Sequence, residues 1–349
     1  MYSDQDLQDA VQHGVITEAS AQALRTFVAE RKQPSLVDEE SFRLLTGFND
    51  VFVVIACVML MVAAGWIGGS LFGSALIAGI AWFLSEIFIR RKQMALPAIV
   101  LFGAFTAAVG VTAATLYSVL MSVATLGTDA SAYDKIHLLS GTYKGSIQIG
   151  FAIGVLAAYL HWYRFRVPIA VAGGAATLIA FTLGLVAKDI SGDALLGLVF
   201  FAGLNVFFFA MWWDVRDPLR QTRRTDIAFW LHLLAAPLLV HPVFALLDFS
   251  STPTGAWWRV MVVAALYGLI AFISLCIDRR ALMVSALAYV LYAFAELFKQ
   301  SGVVELSFAV AAFMVASALL TLSVFWHGSR VFVLQFLPDN LRNRLASTL

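Results

Sequence analysis

A small group of polar side chains lies near the ends of long apolar stretches in the second half of this 349-residue chain. The group comprises His241, Asp248, Arg259, Glu296 and, near the middle of another stretch, Asn205. Carboxylates exchange protons, and histidine changes its charge between about pH 5 and pH 8. An ionisable residue within a membrane span is costly to bury, which makes it a functional candidate. The group predicts a substrate or proton site, with ordinary headgroup-level charges as the alternative.

Two other arrangements point to structure. Glu86 and Arg90 are four residues apart, a spacing that predicts a helix-end ion pair. His232 and His241 are nine apart and lie on nearly opposite helix faces, so they do not share a metal ion. His161 is nearer in depth to His232, but no second feature supports a bis-histidine haem. We therefore predict neither a metal site nor a cofactor.

Catalytic motifs are missing from the sequence. It contains no P-loop, no Gly-x-Ser-x-Gly elbow and no His-Glu-x-x-His pair. Cys57 and Cys276 both lie in apolar stretches and are expected to be reduced thiols. We predict that the protein is not an enzyme.

The elements that position these residues are long apolar helices. The composition is 61% hydrophobic and only 13% charged, far from that of a soluble domain. A span needs about 20 apolar residues. The sequence predicts an all-α, polytopic transmembrane bundle of about ten spans, at residues 50–67, 71–90, 96–121, 146–163, 168–187, 194–213, 226–247, 256–277, 281–298 and 304–326.

Basic residues give this bundle an orientation. Of the 23 Lys and Arg residues, 18 fall on the side of both termini and 5 on the other. Because short cytoplasmic loops are rich in Lys and Arg, both termini are predicted to be cytoplasmic. The site then faces outward, with Lys299 beside Glu296. A net charge of +1 without a concentrated basic patch excludes nucleic acid as a partner.

Three regions follow from this pattern. Residues 1–48 form a small cytoplasmic helical hairpin in which Thr17 is an N-cap and Gly14 a stop. Residues 49–327 form the ten-span domain, whose longest outer loop, at about 122–145, is rich in turn-forming residues and has the length for a small cap. Residues 328–349 form an interfacial amphipathic tail. The hairpin is too small to hold a core of its own, so it packs on the membrane domain or on a partner.

Local motifs in the first half of the chain are similar to those of a known group. They are Gly14 to Thr17, the Arg43 to Phe48 approach to the first span, Glu86 to Lys92, and Trp162 to Arg166. The chain resembles the uncharacterised bacterial multi-pass proteins of the domain of unknown function 2157 type. The resemblance implies a bacterial cytoplasmic (inner) membrane, and it brings no established activity or catalytic residue.

Two functions are compatible with this pattern. One is transport or binding of a small solute or lipid through the outward-facing polar site. The alternative is a noncatalytic accessory or assembly subunit that contacts a protein partner through the N-terminal hairpin or the C-terminal helix. Membrane lipids are expected partners in either case.

Overall fold

The computed structural model describes residues 11, 13–24, 48–126, 132–217, 222–247, 257–280, 282, 283, 287, 291 and 307–338. All regular secondary structure in these residues is helical. The chain divides into two units, Met1–Ser41 with Ser347–Leu349, and Phe42–Ala346. In the first unit, residues 18–24 are helical. The Ser20 amide donates a hydrogen bond to Thr17 Oγ1 at 3.2 Å, as expected of an N-cap threonine.

The second unit is a bundle of apolar helices. Its described helices are α1 (Phe48–Ser85), a π-helical turn (Glu86–Arg91), α2 (Ala95–Leu126), α3 (Ala132–Phe165), α4 (Ile169–Val186), α5 (Gly192–Asp214), α6 (Arg223–Leu247), α7 (Trp257–Ile277), α8 (Ser307–Val324) and α9 (Trp326–Leu334).

Membrane-spanning helices account for most of this unit. Within the described residues, seven helical segments are long and apolar enough to cross a bilayer, and the bent pair formed by α8 and α9 brings the number to eight if it is one span. The two members of the pair meet at 74°. These helices confirm a polytopic helical membrane protein. The span predicted at 281–298 lies mostly outside the described residues.

The first two spans are joined without a loop. Helix α1 breaks at Gly69, whose φ of 62° and ψ of −159° suit glycine and no other residue. The two halves fold against each other around this break. A β-carbon added to Gly68 would lie 2.6 Å from the Cα of Gly73. The short connection therefore needs glycine at position 69, for its backbone angles, and at position 68, for the close approach to Gly73.

The predicted outer loop at 122–145 is wrong for its described residues. Residues 122–126 end α2 and residues 132–145 begin α3, so both helices extend beyond the predicted span boundaries. The turn-forming residues that suggested a loop are concentrated at 127–131, and the segment that follows contains no proline. The two glycines of this segment, Gly141 and Gly145, do not interrupt the helix.

Several groups of buried side chains hold the described helices together, and two of them have the most buried members. One joins α1, α2 and α3, and the other joins α4, α5 and α6. Helix α6 is the most buried of the seven spanning segments and continues through Pro237 and Pro242. Large apolar side chains such as Trp66, Ile67 and Phe72 are exposed on the surface. A surface of this kind requires contact with lipid.

Candidate functional site

The predicted outer polar site is only partly covered by the described residues. His241 lies exposed on α6, and Arg259 belongs to α7 although its side chain is outside the described set. Asp248, Glu296 and Lys299 also lie outside the described residues. Asn205 is exposed on α5, and its Nδ2 donates to the Phe201 carbonyl at 2.8 Å. The outer site therefore stays a prediction.

Glu86 joins the ends of α1 and α3. Its Oε2 lies 3.4 Å from Arg90 Nη1, and its Oε1 lies 2.8 Å from Arg164 Nη2. The four-residue spacing suggests the first contact, whereas the second requires knowledge of which helix ends are neighbours. All three side chains are partly exposed. Because solvent screens these charges, the two ion pairs contribute little to stability.

Near the ion pairs of Glu86, a histidine is enclosed by aromatic rings. His161 is fully buried, with ring centroids at 4.6 to 6.4 Å from those of Trp82, Phe102, Phe105 and Phe165. Its Nε2 lies 3.5 Å from Ser85 Oγ, which also donates to the Ala81 carbonyl. The Ser85 side chain is fully buried as well. This pair has no access for a substrate and is not a nucleophile with its base.

An apolar cavity of about 480 Å³ lies between α2, α3 and α4. Phe102 belongs both to its wall and to the rings around His161. The remaining wall is made of glycines, small or apolar side chains and two threonines: Gly103, Thr106, Ala107, Gly110, Val111, Ala114, Ile147, Gly150, Phe151, Gly154, Gly173 and Thr177. Its lining contains no charged residue.

Glycines set the shape of this cavity. A β-carbon on Gly110 would lie 2.9 Å from the Gly150 carbonyl oxygen, so α2 and α3 touch there through their backbones. A β-carbon on Gly173 would lie 2.5 Å from the Phe102 ring, so the Phe102 side chain of α2 packs directly on the α4 backbone. The cavity thus lies between a backbone contact of α2 with α3 and a side-chain contact of α2 with α4.

The two threonines differ in their hydrogen bonds. Thr177 Oγ1 donates to the Gly173 carbonyl at 2.8 Å, as threonines in spanning helices commonly do. Thr106 Oγ1 is buried and has no hydrogen-bond partner among the described residues. Rotation about χ1 would carry the hydroxyl to the place now held by the methyl group, while the methyl group would move to the place of the β-hydrogen. Thr106 is thus the polar group on the wall that a ligand could engage.

A second polar site lies where α5 ends. The carboxylate of Asp214 binds Arg279, through Nη2 to Oδ1 and through Nε to Oδ2 at 3.3 Å. His232 Nε2 lies 3.0 Å from the same Oδ2. Arg279 and His232 are fully buried, whereas the Asp214 side chain is 14% exposed. The basic-residue pattern counts Arg279 as a headgroup-level charge, yet its side chain turns back into the bundle.

The turn that carries Arg279 is fixed from its other side as well. Asp278 has a φ of 56°, which ends α7 abruptly. Its Oδ1 accepts a hydrogen bond from Trp326 Nε1 at 2.7 Å, and its Oδ2 lies 3.8 Å from Arg330 Nη1. Trp326 and Arg330 belong to α9 and are buried. This turn therefore joins α5 and α6 to α9.

Comparisons with protein-family models, curated proteins and solved structures find no match. The resemblance to the domain of unknown function 2157 type stays a prediction. Within the described part of the chain, no three His, Cys, Asp or Glu side chains form a metal-binding group. Cys57 and Cys276 are buried free thiols. The candidate sites are thus the apolar cavity and the ionic cluster around Asp214.

Sequence reasoning missed both of these sites. The cavity has a faint signal, since Gly150 and Gly154 have the four-residue spacing that brings spanning helices close together. The ionic cluster has another, because Asp214 is an acidic residue at a predicted cytoplasmic end that is otherwise rich in arginine. Neither signal specifies the partner helix.

Proposed function

We propose that this protein binds an amphiphilic molecule with a long apolar chain, of the membrane-lipid class, in the cavity between α2, α3 and α4. In this proposal it is a ten-span protein of the bacterial inner membrane, with both termini in the cytoplasm. The observation that carries the proposal is the glycine-lined cavity itself. Its volume of about 480 Å³ lies within the range of about 300 to 1,000 Å³ typical of ligand sites.

The character of the wall favours an apolar occupant. The cavity opens at the surface of the bundle, and its largely apolar wall offers a water molecule few hydrogen-bond partners. An empty space forfeits the dispersion contacts of every atom that lines it. A hydrocarbon chain restores those contacts, whereas an ion or a sugar would lose its hydration without compensation.

The position of the cavity favours entry from the lipid phase. Val111 on α2 and Phe151 on α3 line the cavity and are also exposed on the outer surface of the bundle. A lipid chain can enter between these helices without crossing water. This favours lateral binding of a bilayer component over uptake of a water-soluble solute.

One polar group refines the ligand class. The Thr106 hydroxyl is a donor for a carbonyl or hydroxyl oxygen of the bound molecule. A buried donor without a partner is costly, so a ligand oxygen at this position stabilises the complex. An ester or alcohol group next to a hydrocarbon chain meets both requirements.

The accessory-subunit function competes with this proposal, and gentle extraction followed by native mass spectrometry separates the two. The protein alone or as a homodimer, carrying a co-purified lipid-sized molecule, is the expected result. A stable complex with other proteins and no bound small molecule would instead favour the accessory role. Transport through the outer polar site predicts retention of a water-soluble molecule.

A further inference from the structure

The ionic cluster at the end of α5 contains more charged groups than its central pair requires. Asp214 is shared between Arg279 and His232. A second carboxylate, Asp226 at the start of α6, lies within electrostatic range of Arg279. Arg223 on α6 and Asp217 in the preceding segment also act on Asp226. Arg279 therefore acts on both carboxylates, Asp214 and Asp226.

Hydrogen-bond chemistry fixes the tautomer of His232. A carboxylate offers only acceptors, so His232 Nε2 must carry the hydrogen that it donates to Asp214 Oδ2. This contact is available to the neutral imidazole and to the imidazolium alike. A proton taken up from water is therefore added at Nδ1, and it turns a neutral partner of Asp214 into a cationic one.

One nitrogen of the Arg279 guanidinium group is not used in the contact with Asp214. Its Nε and Nη2 bind Asp214, while its buried Nη1 has no hydrogen-bond partner among the described residues. If His232 becomes cationic, two cations compete for Asp214 Oδ2, which lies 3.3 Å from Arg279 Nε and 3.0 Å from His232 Nε2, and they repel each other. Buried ions are tolerated only when they are paired, so the charge on His232 redistributes these pairs.

We propose that His232 is a proton-binding site that controls whether Arg279 remains bound to Asp214. With neutral His232, Arg279 binds Asp214 and holds the turn 278–280 against α5 and α6. With protonated His232, Arg279 leaves Asp214 and the turn loosens. Because Asp278 in that turn binds Trp326 and Arg330, the change reaches α9. This inference is independent of the ligand proposed for the cavity.

Cys276 provides a native probe of the turn. It lies two residues before Asp278 and is buried, and Cys57 is a buried thiol on α1. We would measure maleimide labelling rates of detergent-purified Cys57→Ala and Cys276→Ala variants at about pH 8 and about pH 6, which bracket the histidine range. Only the thiolate reacts with maleimide, so acidification slows the labelling of both cysteines. Dividing the Cys276 rate by the Cys57 rate removes this common effect and leaves the change in access to Cys276.

The expected ratio rises several-fold on acidification. In the Cys57→Ala background, His232→Gln still donates a hydrogen bond to Asp214 but takes up no proton, so its ratio should stay low at both pH values. Arg279→Gln should give a high ratio at both. An unchanged ratio in the wild-type cluster, or the same pH dependence in His232→Gln, would overturn the proposal, as would a low ratio in Arg279→Gln.

A measurement on the unaltered chain guards against variants that fail to fold. The Arg279 amide donates to the Ser274 carbonyl at 2.9 Å and closes the turn. Hydrogen exchange of the peptide that contains residues 274–280, corrected for the intrinsic pH dependence of exchange, should lose protection at about pH 6. Equal protection at both pH values would contradict the proposed release.

Discussion

The backbones of Gly110 and Gly150 are in contact. A β-carbon on Gly110 would lie 2.9 Å from the carbonyl oxygen of Gly150, and one on Gly150 would lie 3.0 Å from that of Gly110. Contacts between small residues are the usual way in which spanning helices approach closely. Here the contact also lies on the cavity wall, so the close approach and the open space belong to one arrangement.

A methyl group at this contact should destabilise the bundle. Gly110→Ala forces α2 and α3 apart, and overpacking of this kind costs about 1 to 3 kcal/mol. Gly79→Ala is the matched control, because Gly79 lies on α1, away from the cavity, and its β-carbon meets nothing within 4 Å. Thermal unfolding in detergent should show a lower Tm for Gly110→Ala and an unchanged or slightly higher Tm for Gly79→Ala. Equal values would mean that the contact is not tight.

Breaking the buried ion pair should cost more than breaking an exposed one. Arg279→Met leaves the Asp214 carboxylate without its main partner, a loss of about 3 to 5 kcal/mol for a buried pair. The double variant Asp214→Leu with Arg279→Met should regain part of that loss. Arg90→Met is the exposed comparison, with an effect of at most about 1 kcal/mol. Thermal unfolding of the four proteins checks the order, and an Arg279→Met Tm equal to that of Arg90→Met would contradict the burial.

The features that sequence reasoning recovered are those determined by local composition. The helices α1 to α6 are recognisable in the sequence from the length of their apolar stretches. The N-cap at Thr17 is equally local, because it binds the amide only three residues along the chain. The partner of Arg279 is 65 residues away in the chain. Its burial depends on which helix ends are neighbours, and no local pattern contains that information.

The cavity escaped prediction for a related reason. Its wall combines three helices whose glycines are unremarkable one at a time. Phe102 must meet Gly173 on α4, and Gly110 must meet Gly150 on α3, before the space between them exists. By contrast, residues 132–145 were mistaken for a loop because local turn formers outweighed the helical context on their C-terminal side.

The orientation predicted from basic residues has a direct test. In a Cys57→Ala, Cys276→Ala background, Asp189→Cys places a thiol between α4 and α5, and Lys92→Cys places one between α1 and α2; both positions are exposed. A membrane-impermeant maleimide applied to intact cells should label the first position. The second should react only after lysis. The reverse pattern would place both termini outside the cytoplasm.

Transport through the predicted outer polar site can be tested separately. If it carries transport, Glu296→Gln or His241→Ala should abolish flux in vesicles, because each removes a group that can take up a proton. Asn205→Ala should reduce flux less, since the Asn205 amide already binds its own helix. Unchanged size-exclusion profiles would show that folding is intact. Normal flux in both Glu296→Gln and His241→Ala would show that the outer site does not carry transport.

The central claim is that the cavity between α2, α3 and α4 holds a lipid-like molecule, and a pair of matched glycine variants tests it most directly. Gly103→Leu projects a side chain into open space at the cavity wall, whereas Gly79→Leu does so on α1, away from the cavity. Native mass spectrometry should show the bound molecule in the wild type and in Gly79→Leu, and its loss in Gly103→Leu. Equal retention in all three proteins would contradict binding in this cavity.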